Sequence, residues 1–120
     1  MTYGFERSRH LRRQREFEHV YHTGRRATGR FMTLIAAPSA FRCSRLGISA
    51  SRKLGPAVAR NRAKRRVREL FRHHRFDRAL DVVVIPRREL IDAEYPLLER
   101  EFRGLLRPKP ADRNANRRSG

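Results

Sequence analysis

The stretch Leu46-Gly-Ile-Ser-Ala-Ser-Arg-Lys-Leu-Gly-Pro-Ala-Val-Ala-Arg-Asn-Arg-Ala-Lys-Arg-Arg-Val-Arg-Glu69 decides how the chain folds. Leu46, Ile48 and Ala50 alternate with Gly47, Ser49 and Ser51, which is the period of a strand with one apolar face and one small, hydroxylic face. That strand is expected over Arg45 to Ser51. Gly55-Pro56 then opens a helix, because proline at the first helical position gives up an N–H that has no intrahelical partner. Within this helix, expected to reach about His74, Ala59, Ala63, Val67, Leu70 and Phe71 fall at helical intervals and form one apolar stripe. Nearly every other position is basic.

Upstream, Phe17, Val20 and Tyr21 fall at i, i+3 and i+4 ahead of Gly24, so a short amphipathic helix is expected from Arg13 to Thr23. Phe31 to Ala37 reads as a strand closed by Pro38-Ser39. Downstream, Val82-Val83-Val84-Ile85 is a continuous β-branched run inside a strand from Asp81 to Ile85, expected to be covered on both faces and ended by Pro86. A last helix starts near Pro96 and carries Leu98, Phe102, Leu105 and Leu106 on one side. The expected order is α-β-β-α-β-α, an α/β (α+β) sandwich whose middle strand, basic helix and Val-rich strand have βαβ spacing. Residues 1–106 read as one domain. From Arg107 to Gly120 no large apolar residue occurs, so that segment is expected to be a disordered basic tail.

The 120 residues include 30 Lys plus Arg against 12 Asp plus Glu, a net charge of +18 that points to a polyanionic partner. Lys53, Lys64 and Lys109 are the only lysines; arginine, whose planar fork matches phosphate, supplies the rest. A solvated surface helix would intersperse acids among Arg60, Arg62, Lys64, Arg65, Arg66 and Arg68, since like charges at i, i+4 cost about 0.2 to 0.5 kcal/mol per pair. Only Glu69 does so here. Asn61, Arg65, Arg68 and Arg72 share one face, and Arg62 and Arg66 flank the apolar stripe.

Other chemistries are disfavoured. No apolar run approaches the roughly 20 residues that span a bilayer, so no membrane partner is expected, and the single Cys43 excludes an internal disulfide and a cysteine zinc cluster. The expected compartment is the cytoplasm. His19 with His22, and His73 with His74, lack the acidic companions of a metal motif, and Asp77, Asp81, Asp92 and Glu94 lack the clustering that a two-metal nuclease needs. No metal ligand and no catalytic side chain is assigned.

The quoted stretch closely resembles the signature of the protein component of bacterial ribonuclease P, carried by Arg60-Asn61-Arg62 followed by Lys64-Arg65-Arg66. The resemblance extends to Phe17-Glu-His-Val-Tyr21-His-Thr-Gly24, to the Val-rich strand ending at Pro86-Arg87 and to the Leu-rich terminal helix, covering about residues 7 to 106. It implies a left-handed crossover between parallel strands, against the usual right-handed rule. It also implies a division of labour: a catalytic RNA binds magnesium ions and cleaves precursor tRNA, and the protein grips that RNA and the 5′ leader as the accessory subunit of the endoribonuclease. No obligate protein partner is evident.

Under this resemblance Arg60, Asn61, Arg62, Lys64, Arg65, Arg66 and Arg68 form the RNA-contacting helix. Phe17, Tyr21, Ser49, Ser51, Arg52 and Lys53 line the leader cleft, where stacking on rings suits leaders of any sequence. The family more often has Phe at the second ring position and often Lys where Arg52 stands, so Tyr21 and Arg52 keep the ring and the charge. The plainer alternative is that both rings belong to the core. Arg9, Arg12 and Arg13 are further candidates for phosphate contacts. The rival function is a general RNA-binding or ribosomal-type protein with no catalytic partner.

Overall fold

A computed structural model describes residues 9–107. The elements are α1 (Gln14–Thr23), β1 (Arg25–Thr28), β2 (Met32–Pro38), β3 (Arg45–Ile48), α2 (Ala57–His73), β4 (Leu80–Pro86) and α3 (Tyr95–Leu106), with short 3-10 turns at Arg52–Leu54 and Arg88–Leu90. They build a four-stranded sheet in the order β1-β2-β4-β3. Neighbours β1 and β2, and β2 and β4, are antiparallel, while β3 and β4 are parallel and joined through α2.

The expected order lacked one strand, β1. Its sequence Arg-Arg-Ala-Thr has no apolar alternation; it pairs because Gly29 turns the chain back, donating its N–H to Met32 O (2.8 Å), so that Arg25 to Thr28 lie against Ala36 to Thr33. Strand β3 also ends at Ile48 rather than Ser51. Ser49 still donates to Val84 O (2.9 Å), but the Ser51 hydroxyl accepts from the Lys53 N–H (3.3 Å) and starts a 3-10 turn instead of pairing. The expected tail beyond Arg107 lies outside the described residues.

Alternation along the strands creates two apolar faces. Leu34, Leu46, Val82 and Val84 point to one side and are buried with Ala63, Val67, Leu70 and Phe71 of α2 and Leu98, Phe102 and Leu105 of α3. Ile35, Ala37 and Val83 point to the other, where Val20 of α1 and Leu11 cover them. The chain just before α1 protects the edge of β3: Leu11 donates to Leu46 O (2.9 Å) and His10 pairs with Leu46 in a parallel bridge. Gly24 ends α1 by close approach rather than by a left-handed turn. A Cβ there would lie 2.6 Å from Val20 O and 2.9 Å from Ala36 O, so only glycine lets the helix run into the sheet.

Two polar clamps fix the layers. Buried Asp81 on β4 takes a two-pronged contact from Arg45 on β3 (Nε 3.0 Å, Nη2 2.8 Å), and the same guanidinium reaches Glu16 of α1 at 3.2 Å. Asp81 is therefore a partner within the sheet, which accounts for one scattered carboxylate without any metal. Glu16 also accepts the N–H groups of Arg12 (2.7 Å) and Arg13 (3.0 Å) that the start of α1 leaves unpaired. These backbone donors, Arg13 first, hold its carboxyl below the usual glutamate range. On the opposite layer, Glu101 of α3 accepts three consecutive N–H groups, from Arg30 (2.8 Å), Phe31 (2.8 Å) and Met32 (3.0 Å), and so pins the β1–β2 turn to the helix.

Replacing Glu101 with Gln puts an NH2 group among those donors. We expect Glu101→Gln to lower the unfolding free energy by about 1 to 3 kcal/mol, read from urea denaturation. Because the Glu16 pKa is depressed on folding, its contribution is present above the ordinary carboxylate range and is lost as pH falls through the lowered value. The difference in melting temperature between the wild type and Glu16→Gln should shrink between pH 7 and pH 3.

Candidate nucleic-acid interface

Helix α2 docks through its apolar stripe and leaves its cations on three distinct sides. On the flank toward the turn before α3, Arg62 Nε donates to Ile91 O (3.0 Å), Arg66 Nη1 donates to the same oxygen (3.0 Å), and Arg66 Nη2 donates to Ala93 O. Those two arginines satisfy backbone carbonyls of the segment that leads into α3. On the outward side Asn61, Arg65 and Arg68 are exposed, and among the described residues no carboxylate pairs with Arg65 or Arg68. Arg72, at the end of this row, is held by Glu69 at 2.7 Å. Arg60 and Lys64 are half-buried on the remaining flank.

That third flank meets the segment running along the edge of β3. Arg9 Nε donates to Ser44 O (3.3 Å), and its guanidinium lies 5.4 Å from the Phe71 ring centroid. His10 is held below its ordinary pKa, first by burial and then by the positive charges of Arg68, Arg12 and Arg9. Arg9 and Arg12 therefore add to the cationic surface of α2 across the sheet edge. Arg13 is exposed at the start of α1.

Across the sheet, Phe17 and Tyr21 occupy successive turns of α1. Phe17 is half-buried and rests on Gly47, where a Cβ would come within 2.7 Å of two ring carbons. Tyr21 remains 41% exposed, so the two rings divide: Phe17 belongs partly to the core, and Tyr21 stands in solvent. Alternation from Gly47 puts Ser49 on the α1 side of the sheet, where Thr28 and Thr33 also pair through their hydroxyls (3.4 Å). Exposed Ser51, Arg52 and Lys53 continue from this edge toward the start of α2. Gly55, at φ +127°, makes the turn that a side-chain-bearing residue rarely adopts.

The sequence reading missed the floor made by Gly47 and the hydroxyl pair of Thr28 and Thr33. A glycine inside a strand was the available signal for the first, because it marks a close approach of another group. The second needed β1, which carried no pattern. Among the described residues no group of three or more His, Cys, Asp or Glu side chains converges on a metal-sized site. None of the described helices is long and apolar enough to cross a membrane.

A basic α/β sandwich with one arginine-rich helix anchored by an apolar stripe is the class that the fold defines. A model of the ribonuclease P family matches residues 5–109. The chain is 32% identical over 102 residues to the ribonuclease P protein component of Caldanaerobacter subterraneus, covering 83% of this chain and 88% of that protein. The ribonuclease P protein of Staphylococcus aureus superposes with a TM-score of 0.71 at 30% identity, over 82% of this chain and 92% of that one. The Thermotoga maritima protein gives a TM-score of 0.72 at 31% identity, over 81% and 94%. The chain belongs to the family of ribonuclease P protein components, the protein part of an endoribonuclease complex.

A Cβ at position 47 must displace the Phe17 ring. Gly47→Ala is expected to cost about 1 to 3 kcal/mol of stability, as overpacking does. In a Phe17→Ala background the same substitution should cost clearly less, which a double-mutant cycle of denaturation curves measures.

Proposed function

We propose that this chain binds the catalytic RNA of ribonuclease P through the outward side of α2 and holds the 5′ leader of precursor tRNA along the α1 side of the sheet. The observation that carries the reading is the outward row of Asn61, Arg65 and Arg68, whose two arginines have no acidic partner among the described residues. Self-repulsion along such a row is offset when phosphates bind. Rigid docking of α2 holds the guanidinium forks in position, which suits a folded RNA. Arg62 and Arg66 act indirectly in this reading, by fixing the segment before α3. Arg60 and Lys64 widen the cationic surface toward Arg9 and Arg12.

Tyr21, with Phe17 behind it, offers a stacking surface to leader bases of any sequence. Ser49 and Ser51 leave room for a sugar-phosphate strand, and Arg52 and Lys53 neutralise it. In this reading magnesium is held by the RNA and the substrate. Bond cleavage is likewise assigned to the RNA, and the protein contributes affinity for the leader and cations near crowded phosphates.

The decisive assay is leader removal at low magnesium with the RNA subunit alone, this chain alone, and both together. Cleavage only by the combination is expected; cleavage by the chain alone, or no stimulation of an active RNA, overturns the reading. Reversing Arg65 and Arg68 to Glu should weaken RNA binding and flatten its log-log salt dependence by about 0.7 to 0.9 unit per lost phosphate contact. Melting temperature should hardly change in that variant. Arg66→Ala should instead lower thermal stability, because it removes the donor of Ala93 O and one of the two donors of Ile91 O.

A further inference from the structure

At the far end of α2 from Arg52, a concavity of about 710 Å³ opens between the last turn of α2, the segment 74–80 and α3. Its floor is apolar: Leu70, Phe76, Leu80, Phe102 and Leu106. The His74 ring lies edge-on to Phe76 (centroids 4.7 Å, 74°) and to buried Phe102 (5.4 Å, 81°), so His74 and Phe76 present aromatic surface to the pocket and Phe102 supports them from beneath. The rim is cationic. Arg75, Arg78, Arg103 and Arg107 stand against Asp77 and Glu99. Burial, then the nearby Arg103 charge, keeps His74 below its ordinary pKa, so at neutral pH the ring is a flat neutral surface surrounded by arginines.

We propose that this pocket receives one unstacked nucleotide of an RNA strand, its base against the partly exposed rings of Phe76 and His74 and its phosphate on the arginine rim. The inference rests on the RNA-binding reading of α2 but concerns a different surface, on the α2–α3 side of the sheet rather than the α1 side. The pocket has room for a base with its ribose. Aromatic floor and guanidinium rim together match a nucleotide, where an acidic peptide would leave the rings uncovered and an apolar ligand would make no use of the four exposed arginines. The chain beyond Arg107 is a poor occupant on charge grounds: Lys109, Arg113, Arg117 and Arg118 oppose the rim, and only Asp112 favours it.

The test follows the ring resonances of His74 and Phe76 by NMR on the full chain, titrated with 5′-AMP, with ribose 5-phosphate and with a short oligoadenylate. We expect saturable shifts with 5′-AMP, at least about fivefold weaker binding of ribose 5-phosphate for want of a base to stack, and tighter binding of the oligonucleotide. Arg78→Gln and Arg103→Gln, both at exposed positions, should weaken oligoadenylate binding several-fold without changing the melting temperature. Equal binding of ribose 5-phosphate and 5′-AMP would overturn the inference in favour of an adventitious anion, and equal binding of 5′-AMP and oligoadenylate would overturn the assignment to an RNA strand. Binding of the ribonuclease P RNA is measured in parallel. RNA binding without nucleotide-induced shifts at His74 removes the pocket alone, whereas shifts without RNA binding remove the reading of α2 and leave a nucleotide site.

Discussion

Strand β4 lies between β2 and β3 with Val82, Val83 and Val84 all fully buried, and both of its faces must therefore be roofed. One roof is α1 with Leu11; the other is α2 beside α3. A small chain carrying 30 basic residues has few apolar ones to cover a sheet with, so each helix turns its apolar stripe to this strand and its neighbours. The cations are left on the outer sides of the helices and along the sheet edges. The charged surface of α2 is thus a consequence of how β4 is covered.

The same constraint separates the two sides of the molecule. Because alternate residues of β3 point in opposite directions, Leu46 and Ile48 serve the core under α2, while Gly47 supports the Phe17 ring under α1. The arginine-rich helix and the aromatic pair therefore sit on opposite faces of one sheet, and the chain from Ser49 to Lys53 links them at one edge. At the other end of α2 lies the His74 pocket. Three surfaces of different chemistry fit on so few residues because they share a single strand layer.

Charge alone did not determine what each arginine does. Arg45 bridges Asp81 and Glu16 inside the fold, Arg62 and Arg66 hold the carbonyls of Ile91 and Ala93, and Arg65 and Arg68 face solvent. In a sequence these residues look alike. Burying a guanidinium requires acceptors for its planar fork, and only the packed structure brings Asp81, Ile91 O or Ala93 O within reach.

What could be read from the chain by itself rested on periodic patterns and their stops. The apolar stripe of α2, the β-branched run of β4, the alternation of β3, the two shorter helices and the row of outward cations all follow from spacing, because burial of one face imposes it. Strand β1 was invisible: Arg-Arg-Ala-Thr becomes a strand only when β2 offers its edge and Glu101 fixes the turn from 69 to 71 residues away. The end of β3 was misplaced by three residues because a hydroxyl cap at Ser51 competes with pairing in a way that alternation does not record. The floor under Phe17, the splitting of the arginines into structural and exposed, and the aromatic pocket at His74 were decided by tertiary contact, since each joins residues that share no local period.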